Sequence, residues 1–501
     1  MIKKLRRFRG GYTFKKPKAK LAEVQDITIP EKVVLPLKLR FGSTIKPLVA
    51  KGDQVTAGRI IARDDETIST PAISSVNGVV EDIVKLNYFY GTVDAMVIRS
   101  DGVRDYQPVP GAQADFENLT FEKISELIYV SGAASLSKSG IPTIYKSSPA
   151  RPKSIDNLII TTFNSGPFSL HERSVFEHRQ RQFYKGLHIL KRALPNIKVS
   201  IAMDHRDRKF KKEMIDAIRR GSPTVNVPDW ISIQLLDKKY PQASEEMLVR
   251  TILNKKIPLA GLGTDIGVLI LDIQDVIRVY EAVCEGKPLI EHTVALVGSA
   301  CKENKFINVR VGTALEEVLK GNLKEGVEPR AIFGTTMTGI IQPDLSMPIG
   351  RSINRITVLA ENKAREFLSF LKPGSNSNSY SRAFLSTYLP GGERKYDTNL
   401  NGELRPCIQC GYCDEVCPVG IIPHLLDKQI KHGLCEESEK LGIFECIDCG
   451  LCSYVCPCKI SLADNITTGK RTLIEEGCSV PRVKAKESEE AAKAYRGRMP
   501  L

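Results

Sequence analysis

Nowhere in this 501-residue chain does an apolar run reach the 18 residues of a membrane span, and no apolar core follows the basic N-terminus as it would in a secretory signal. A soluble protein is therefore expected. No nucleophile comes with an identifiable base. Gly261-Leu262-Gly263 with Gly267 fails the G-x-G-x-x-G spacing of a dinucleotide loop and reads as a turn. His171 and His178 could share a helix face, but neither has a carboxylate or cysteine partner in the pattern, so solvent or core roles outweigh ligation. Acid is in deficit: 58 Asp and Glu face 72 Lys and Arg, a net charge of +14. Much of that excess is local, since Lys3, Lys4, Arg6, Arg7, Arg9, Lys15, Lys16, Lys18 and Lys20 precede the first acid, Glu23. Such an arm suits nucleic acid, anionic lipid, an acidic protein face, or simple solvation. With no nucleic-acid motif beside it, docking at a membrane or a membrane-bound partner is the favoured reading.

What the chain does have is cysteine in a pattern. Cys407, Cys410, Cys413 and Cys417-Pro418 form a C-x2-C-x2-C-x3-C-P run, and Cys446, Cys449, Cys452 and Cys456-Pro457 repeat it. Three cysteines spaced by three let one short loop hold three irons of a cubane. In two-cluster ferredoxins the fourth cysteine of each run serves the other cluster. The expected ligand sets are therefore Cys407, Cys410, Cys413 and Cys456 for one [4Fe-4S] centre, and Cys446, Cys449, Cys452 and Cys417 for its neighbour. Structural zinc would show two pairs per metal instead of a run of four. Gly411 and Gly450 suit a backbone curling close to sulfide, and each proline turns the chain away after its last ligand. Cys284, Cys301, Cys435, Cys458 and Cys478 lack such spacing and read as apolar thiols. Cys458 remains open as a substitute for Cys456. Thiolate ligands require a reducing compartment.

The expected fold is multidomain α/β and α+β. Thr28 to Arg99 reads as short strands divided by glycine turns, resembling the halves of a lipoyl-type sandwich; Arg63-Asp64-Asp65-Glu66 lies where such domains carry a modified lysine, so no swinging arm is expected. From Ser154 to Gly286 strands alternate with helices: strands Leu158 to Thr161, Lys198 to Met203 and Trp230 to Leu236, with helices Val175 to Leu194, Lys209 to Arg220, Ser244 to Leu253 and Ile273 to Glu285. A β-grasp-like unit begins near His292, with a short helix Ala314 to Leu319. A Gly/Ser/Asn-rich linker precedes the cluster domain. The expected boundaries are a basic arm over 1–27, a lipoyl-like barrel-sandwich domain over 28–110, an α/β nucleotide-binding-like domain over 111–290, a β-grasp-like domain over 291–372, a linker over 373–401, a ferredoxin-like helical domain with two [4Fe-4S] clusters over 402–470, and a charged tail over 471–501.

Several segments together resemble the RnfC family, the C subunits of Rnf electron transport complexes: FRGGYTF from Phe8, LPLKLRFGSTIKPLVAKGDQVTAGRIIA, KYPQASEEMLVRTI from Lys239, YEAVCEGKPLIEHTVALVG from Tyr280, and the two cysteine runs. The resemblance implies a peripheral subunit on the cytoplasmic face of an ion-translocating membrane complex. It also implies binding of NADH and FMN, and electron transfer through two clusters; were the flavin site lost, another protein such as a ferredoxin docking at the cluster domain would supply the electrons. The chain departs from the related flavin subunits at two places. Their glycine-rich phosphate loop corresponds to Gly132-Ala133-Ala134-Ser135-Leu136-Ser137-Lys138-Ser139-Gly140-Ile141-Pro142-Thr143, where Ser135, Ser137 and Lys138 replace glycines. Their N-G-A-E-C-E-P corresponds to Thr161-Thr162-Phe163-Asn164-Ser165-Gly166-Pro167, with Asn164 and Gly166 in place of carboxylates. Gly132 and Gly140 are what remains of a degenerate flavin/NADH loop that is weakened without being excluded. Two alternatives stand beside the leading one: a soluble flavin/iron-sulfur reductase of the cobalamin-reductase type, and a nucleic-acid-binding cluster protein suggested by charge alone.

Overall fold

The computed structural model describes residues 2–14, 24–38, 44–64, 70–133, 155–222, 226–258, 261–364, 396–399 and 403–476. At its centre lies a five-stranded parallel sheet in the order Ile2–Arg6, Ile231–Leu236, Lys198–Asp204, Asn157–Thr161 and Val268–Asp272. Its inner strands are apolar on both sides because helices cover both faces. On Asn157–Thr161, Leu158 and Ile160 enter one core with Phe183 and Leu187 of helix Gln180–Ala193. Ile159 points the other way, to Leu248, Val249 and Ile252 of helix Glu245–Leu253. Each such side chain, fully buried, contributes about 1.5–3 kcal/mol. Helix starts are set by capping: Asp207 accepts from the Phe210 amide at 3.0 Å, and Ser244 from the Met247 amide at 3.3 Å.

The basic arm expected over residues 1–27 is not a free arm over its first part. Ile2–Arg6 is the edge strand of the parallel sheet, paired with Ile231–Leu236. The Arg6 guanidinium donates to the Thr251 and Ile252 carbonyls at 2.9 and 2.8 Å, neutralising the C-terminal end of helix Glu245–Leu253. Its neighbours Lys3, Arg7 and Arg9 are exposed, while Lys15, Lys16, Lys18 and Lys20 lie outside the described residues. The charge pattern concealed a strand because Ile2 and Leu5 alone carry its apolar signal.

Two further elements escaped the pattern. Val268–Asp272 is the far edge strand of the sheet, and Phe121–Val130 is a helix that buries Ile124, Leu127 and Ile128. The stretch expected as one helix from Val175 to Leu194 is a single turn, Arg173–Phe176, followed by Gln180–Ala193.

Around this sheet sit three other bodies. A four-stranded and a three-stranded sheet, built from strands between Lys32 and Ser100, enclose a core of Val33, Leu35, Ile61, Val80, Met96 and Ile98. A six-stranded mixed sheet formed mainly by residues 291–360, with Val24–Asp26 at its edge, packs Val294, Leu296, Ile307 and Val358 over helix Leu315–Leu319. The C-terminal body is helical: Tyr412–Val416, Pro423–Lys431, Cys435–Lys440, Leu451–Val455 and Leu462–Glu475 surround Ile421, Leu426, Ile443, Ile466 and Leu473. No described helix is long and apolar enough to cross a membrane.

Candidate functional site

The two cysteine runs fold into the same local shape. Gln409 and Asp448, each just before the second cysteine, take left-handed φ of 54° and 51°; Gly411 and Gly450, just after it, have φ of 75° and 78°. Each loop therefore coils tightly and then enters one helical turn, Tyr412–Val416 or Leu451–Val455, before its fourth cysteine extends outward. The left-handed pair keeps the first three thiols of a run on the inside of the coil.

The fourth cysteine of the first run packs against the second run. Cys417 lines one cavity together with Cys446, Cys449 and Cys452, closed by Pro418, Ile421 and Leu451. Cys456 and Cys413 share another buried group, against which Cys452 packs, so the two sets are neighbours. Cys458 is buried there as well, beside Cys456. Cys407 and Cys410 stand at the surface, with Leu404 and Ile408 beside them 72% and 60% exposed. The first set thus has no exposed thiol, while the other opens to solvent through Cys407 and Cys410.

Four thiols around one small apolar cavity suit a cluster and little else. Burial pushes the Cys449 and Cys413 thiols up to about 12, and Cys452 well above its ordinary value, so these thiols are neutral at pH 7 and metal binding would have to displace their protons. Polar neighbours tune the sets differently. The Lys470 ammonium lies 2.7 Å from the Cys446 carbonyl and 2.7 Å from an Asp448 carboxylate oxygen. At the other set, His424 Nδ1 lies 3.7 Å from Cys413 Sγ and 3.1 Å from Asp414 Oδ1, and the Gln409 amide donates to Cys407 Sγ at 3.4 Å.

The N-terminal segment FRGGYTF clamps the enclosed set. The Gly11 amide donates to the Val416 carbonyl at 2.7 Å, and a Cβ on Gly10 would stand 2.4 Å from the Cys417 carbonyl oxygen. Tyr12 and Phe14 then pack against Tyr454, and Phe14 against Tyr240.

A second cavity, of about 340 Å³, opens at the carboxyl ends of the parallel strands, where such sheets take their ligands. Asn164 and Ser165 form one wall, Tyr240, Pro241 and Ala243 to Glu245 another, Leu271, Asp272 and Asp275 a third, and Phe89, Phe333 and Arg355 come from outside the sheet. Ile447 and Cys449 form its floor, so this cavity abuts the enclosed cysteine set. Glu172 and Asp272 are half-buried, and desolvation raises both carboxyls; Asp275 adds like-charge repulsion at Asp272.

Of the loop residues, Gly132 is absent from this wall. It ends helix Phe121–Val130 with φ of 67°, and a Cβ there would strike Ile73 at 2.4 Å, so its glycine is required by packing against the sandwich. Gly140, Ser135, Ser137 and Lys138 lie outside the described residues. His171 has a carboxylate partner after all, Asp207 Oδ2 at 2.6 Å, while His178 is exposed; neither lines the cavity. Sequence reasoning missed Glu172, Tyr240, Asp272, Asp275, Arg355 and Lys470. Only the pair Asp272 and Asp275 carried a legible signal, a capping pattern at the end of an apolar run.

Comparison with known proteins places three family domains along the chain. An RnfC barrel sandwich hybrid domain matches residues 6–103, a Nuo51 FMN-binding domain residues 128–281, and a 4Fe-4S dicluster domain residues 400–457. The C subunit of the proton-translocating ferredoxin:NAD(+) oxidoreductase complex of Clostridium ljungdahlii is 27% identical over 449 residues, 87% of each chain. Its counterpart in the Na(+)-translocating ferredoxin:NAD(+) oxidoreductase complex of Acetobacterium woodii is 24% identical, across 89% of this chain and 92% of that one. The corresponding C subunit of the ion-translocating oxidoreductase complex of Pseudomonas aeruginosa is 27% identical across 84% of this chain, a match that spans 50% of that protein. A solved NAD+-reducing [NiFe]-hydrogenase aligns at a TM-score of 0.43 and 12% identity, over 77% of this chain and 69% of that one, a loose likeness. The resemblance to the RnfC family holds over most of the chain.

Proposed function

We propose that this chain is the electron-relaying RnfC-type subunit of an Rnf-like, ion-translocating oxidoreductase complex, a peripheral protein held at the cytoplasmic face of the membrane by its partner subunits. The observation that carries the reading is the pairing of an enclosed cysteine set with a surface-facing one. When bound, [4Fe-4S] clusters supply reversible one-electron storage. Cys417, Cys446, Cys449 and Cys452 would hold one, and Cys407, Cys410, Cys413 and Cys456 the other.

The protein's own residues give this relay two ends. At the interior end, Cys449 forms part of the floor of the 340 Å³ cavity. Cys407 and Cys410 reach solvent inside an apolar collar of Leu404 and Ile408, a surface suited to a redox partner protein such as a ferredoxin or a neighbouring subunit. Between the ends, Cys413 and Cys452 pack together. The names of the relatives favour a complex subunit over a freely soluble reductase of the cobalamin-reductase type. Of the charge that suggested nucleic acid, Arg6 is committed to the Thr251 and Ile252 carbonyls.

Anaerobic iron counting and EPR on the purified chain test the reading. About eight irons per polypeptide and two interacting centres are expected. Cys417→Ser should alter the centre held by the Cys446 run and spare the other; the opposite outcome would sink the crossed assignment.

A further inference from the structure

The helix between the strands Lys198–Asp204 and Ile231–Leu236 spans Arg208–Gly221 and reads RKFKKEMIDAIRRG. Winding it divides the sequence by polarity. Phe210, Met214, Ala217 and Ile218 are buried in the core beneath the parallel sheet, and at about 3.6 residues per turn they fill an arc of about 100°. On the other side Arg208, Arg219, Lys212, Asp216, Lys209 and Arg220 follow one another, in that order, around an arc of about 120°. The five basic residues are exposed, and Asp216, the one acid among them, is half-buried. Glu213, at one flank of the arc, is engaged by the Arg173 guanidinium at 2.5 Å. Arg220 donates to the neutral side-chain oxygen of Gln180 at 2.6 Å and so keeps its charge.

We infer that this helix lays its cationic face on anionic lipid headgroups, so that the protein touches the membrane directly and not only through partner subunits. The contact is independent of the clusters and lies outside the N-terminal segment to which the charge pattern first pointed.

The face is held in place by its own packing. Asp207 caps the helix start at the Phe210 amide, and the Phe210 ring meets Phe176 edge-on with centroids 5.5 Å apart. From Arg208 to Arg220 the helix rises about 18 Å, which suits a plane of headgroups better than one phosphate. Nor is the face a mere share of the overall positive excess. The exposed charges of helix Leu462–Glu475 mix Asp464, Arg471 and Glu475, and those of Cys435–Lys440 include Glu436, Glu437 and Glu439.

Composition selects the occupant. Protein interfaces are centred on apolar anchors and are depleted in lysine, whereas the cationic arc contains no apolar side chain. A lipid surface asks only for charge spread over an area. Each Lys or Arg near an anionic membrane strengthens adsorption about fivefold, and salt weakens the effect.

The test is sedimentation of the full chain, with its iron counted, against vesicles of phosphatidylcholine alone or mixed with an equal part of phosphatidylglycerol. Binding is expected to the anionic vesicles only and should fall as salt is raised. Lys212→Gln/Arg219→Gln removes two charges and should weaken it about twenty-fivefold. Arg208→Gln/Lys209→Gln should do the same and serves if the first variant loses iron. Lys212→Arg/Arg219→Lys, which keeps the charge, should bind as the unaltered protein does. Lys16→Gln/Lys18→Gln takes the same charge from the N-terminal segment and should have little effect. Absence of binding to anionic vesicles, equal binding to phosphatidylcholine, or equal losses from the helix and N-terminal variants would overturn the inference. Binding confined to membranes that carry the partner subunits would overturn it too, by making an acidic protein face the occupant.

Discussion

The Tyr240 hydroxyl donates to the backbone carbonyl of Cys449 at 2.6 Å, joining the wall of the large cavity to the second cysteine of the Cys446 run. Burial and the adjoining Cys449 raise the phenol far above its usual range, so it acts as a fixed donor. Tyr240→Phe removes that bond and keeps the ring packing against Phe14. A loss of about 1 kcal/mol is expected, seen as faster iron release to a chelator with unchanged initial iron content.

Gly10 and Gly52 both have left-handed backbones, at φ of 69° and 92°, but a Cβ on Gly52 meets nothing while one on Gly10 meets the Cys417 carbonyl. Gly52→Ala should show only the conformational cost, about 1–2 kcal/mol. Gly10→Ala should cost more and disturb the centre that includes Cys417. Equal thermal shifts and identical EPR spectra for the two variants would show that the clamp does not position the ligand loop.

Lys470 places a positive charge beside Cys446, with only 13% of its side chain exposed. A nearby cation favours the more negative, reduced form of a cluster. Lys470→Met is therefore expected to lower the midpoint potential of the enclosed centre by tens of millivolts and leave the other unchanged, as read by EPR-monitored redox titration.

Ile408 is 60% exposed beside the surface thiols. Ile408→Glu should reduce the rate of electron exchange with a partner protein about tenfold, an effect of about 1.4 kcal/mol. Reduction by a small dye, measured by stopped flow, should not change. A proportional loss with the dye would place the defect in the cluster itself.

His292 is buried, with Nε2 2.8 Å from the Ile353 carbonyl, and burial together with Arg278 lowers its pKa to about 3. Its folded value lies below the unfolded one, so the unfolded chain binds the extra proton. Stability is then fully present above pH of about 6.5 and falls toward pH 3 by about 1.4 kcal/mol per unit. His292→Asn should flatten that acid limb in chemical denaturation measured across pH.

The cysteine runs were legible because their information is local: three residues of spacing decide which thiols share a loop, whatever the rest of the chain does. Apolar alternation likewise disclosed the strands Asn157–Thr161 and Lys198–Asp204. By itself the sequence determined the eight candidate ligands, the layered α/β character and the kinship with a redox subunit. Only the tertiary structure decided what those ligands face. The order of the parallel sheet brings Glu172, Tyr240 and Asp272 to one edge from segments tens of residues apart, and it folds a charged N-terminus into that sheet beside a strand more than two hundred residues away. Such convergence depends on strand order and not on spacing.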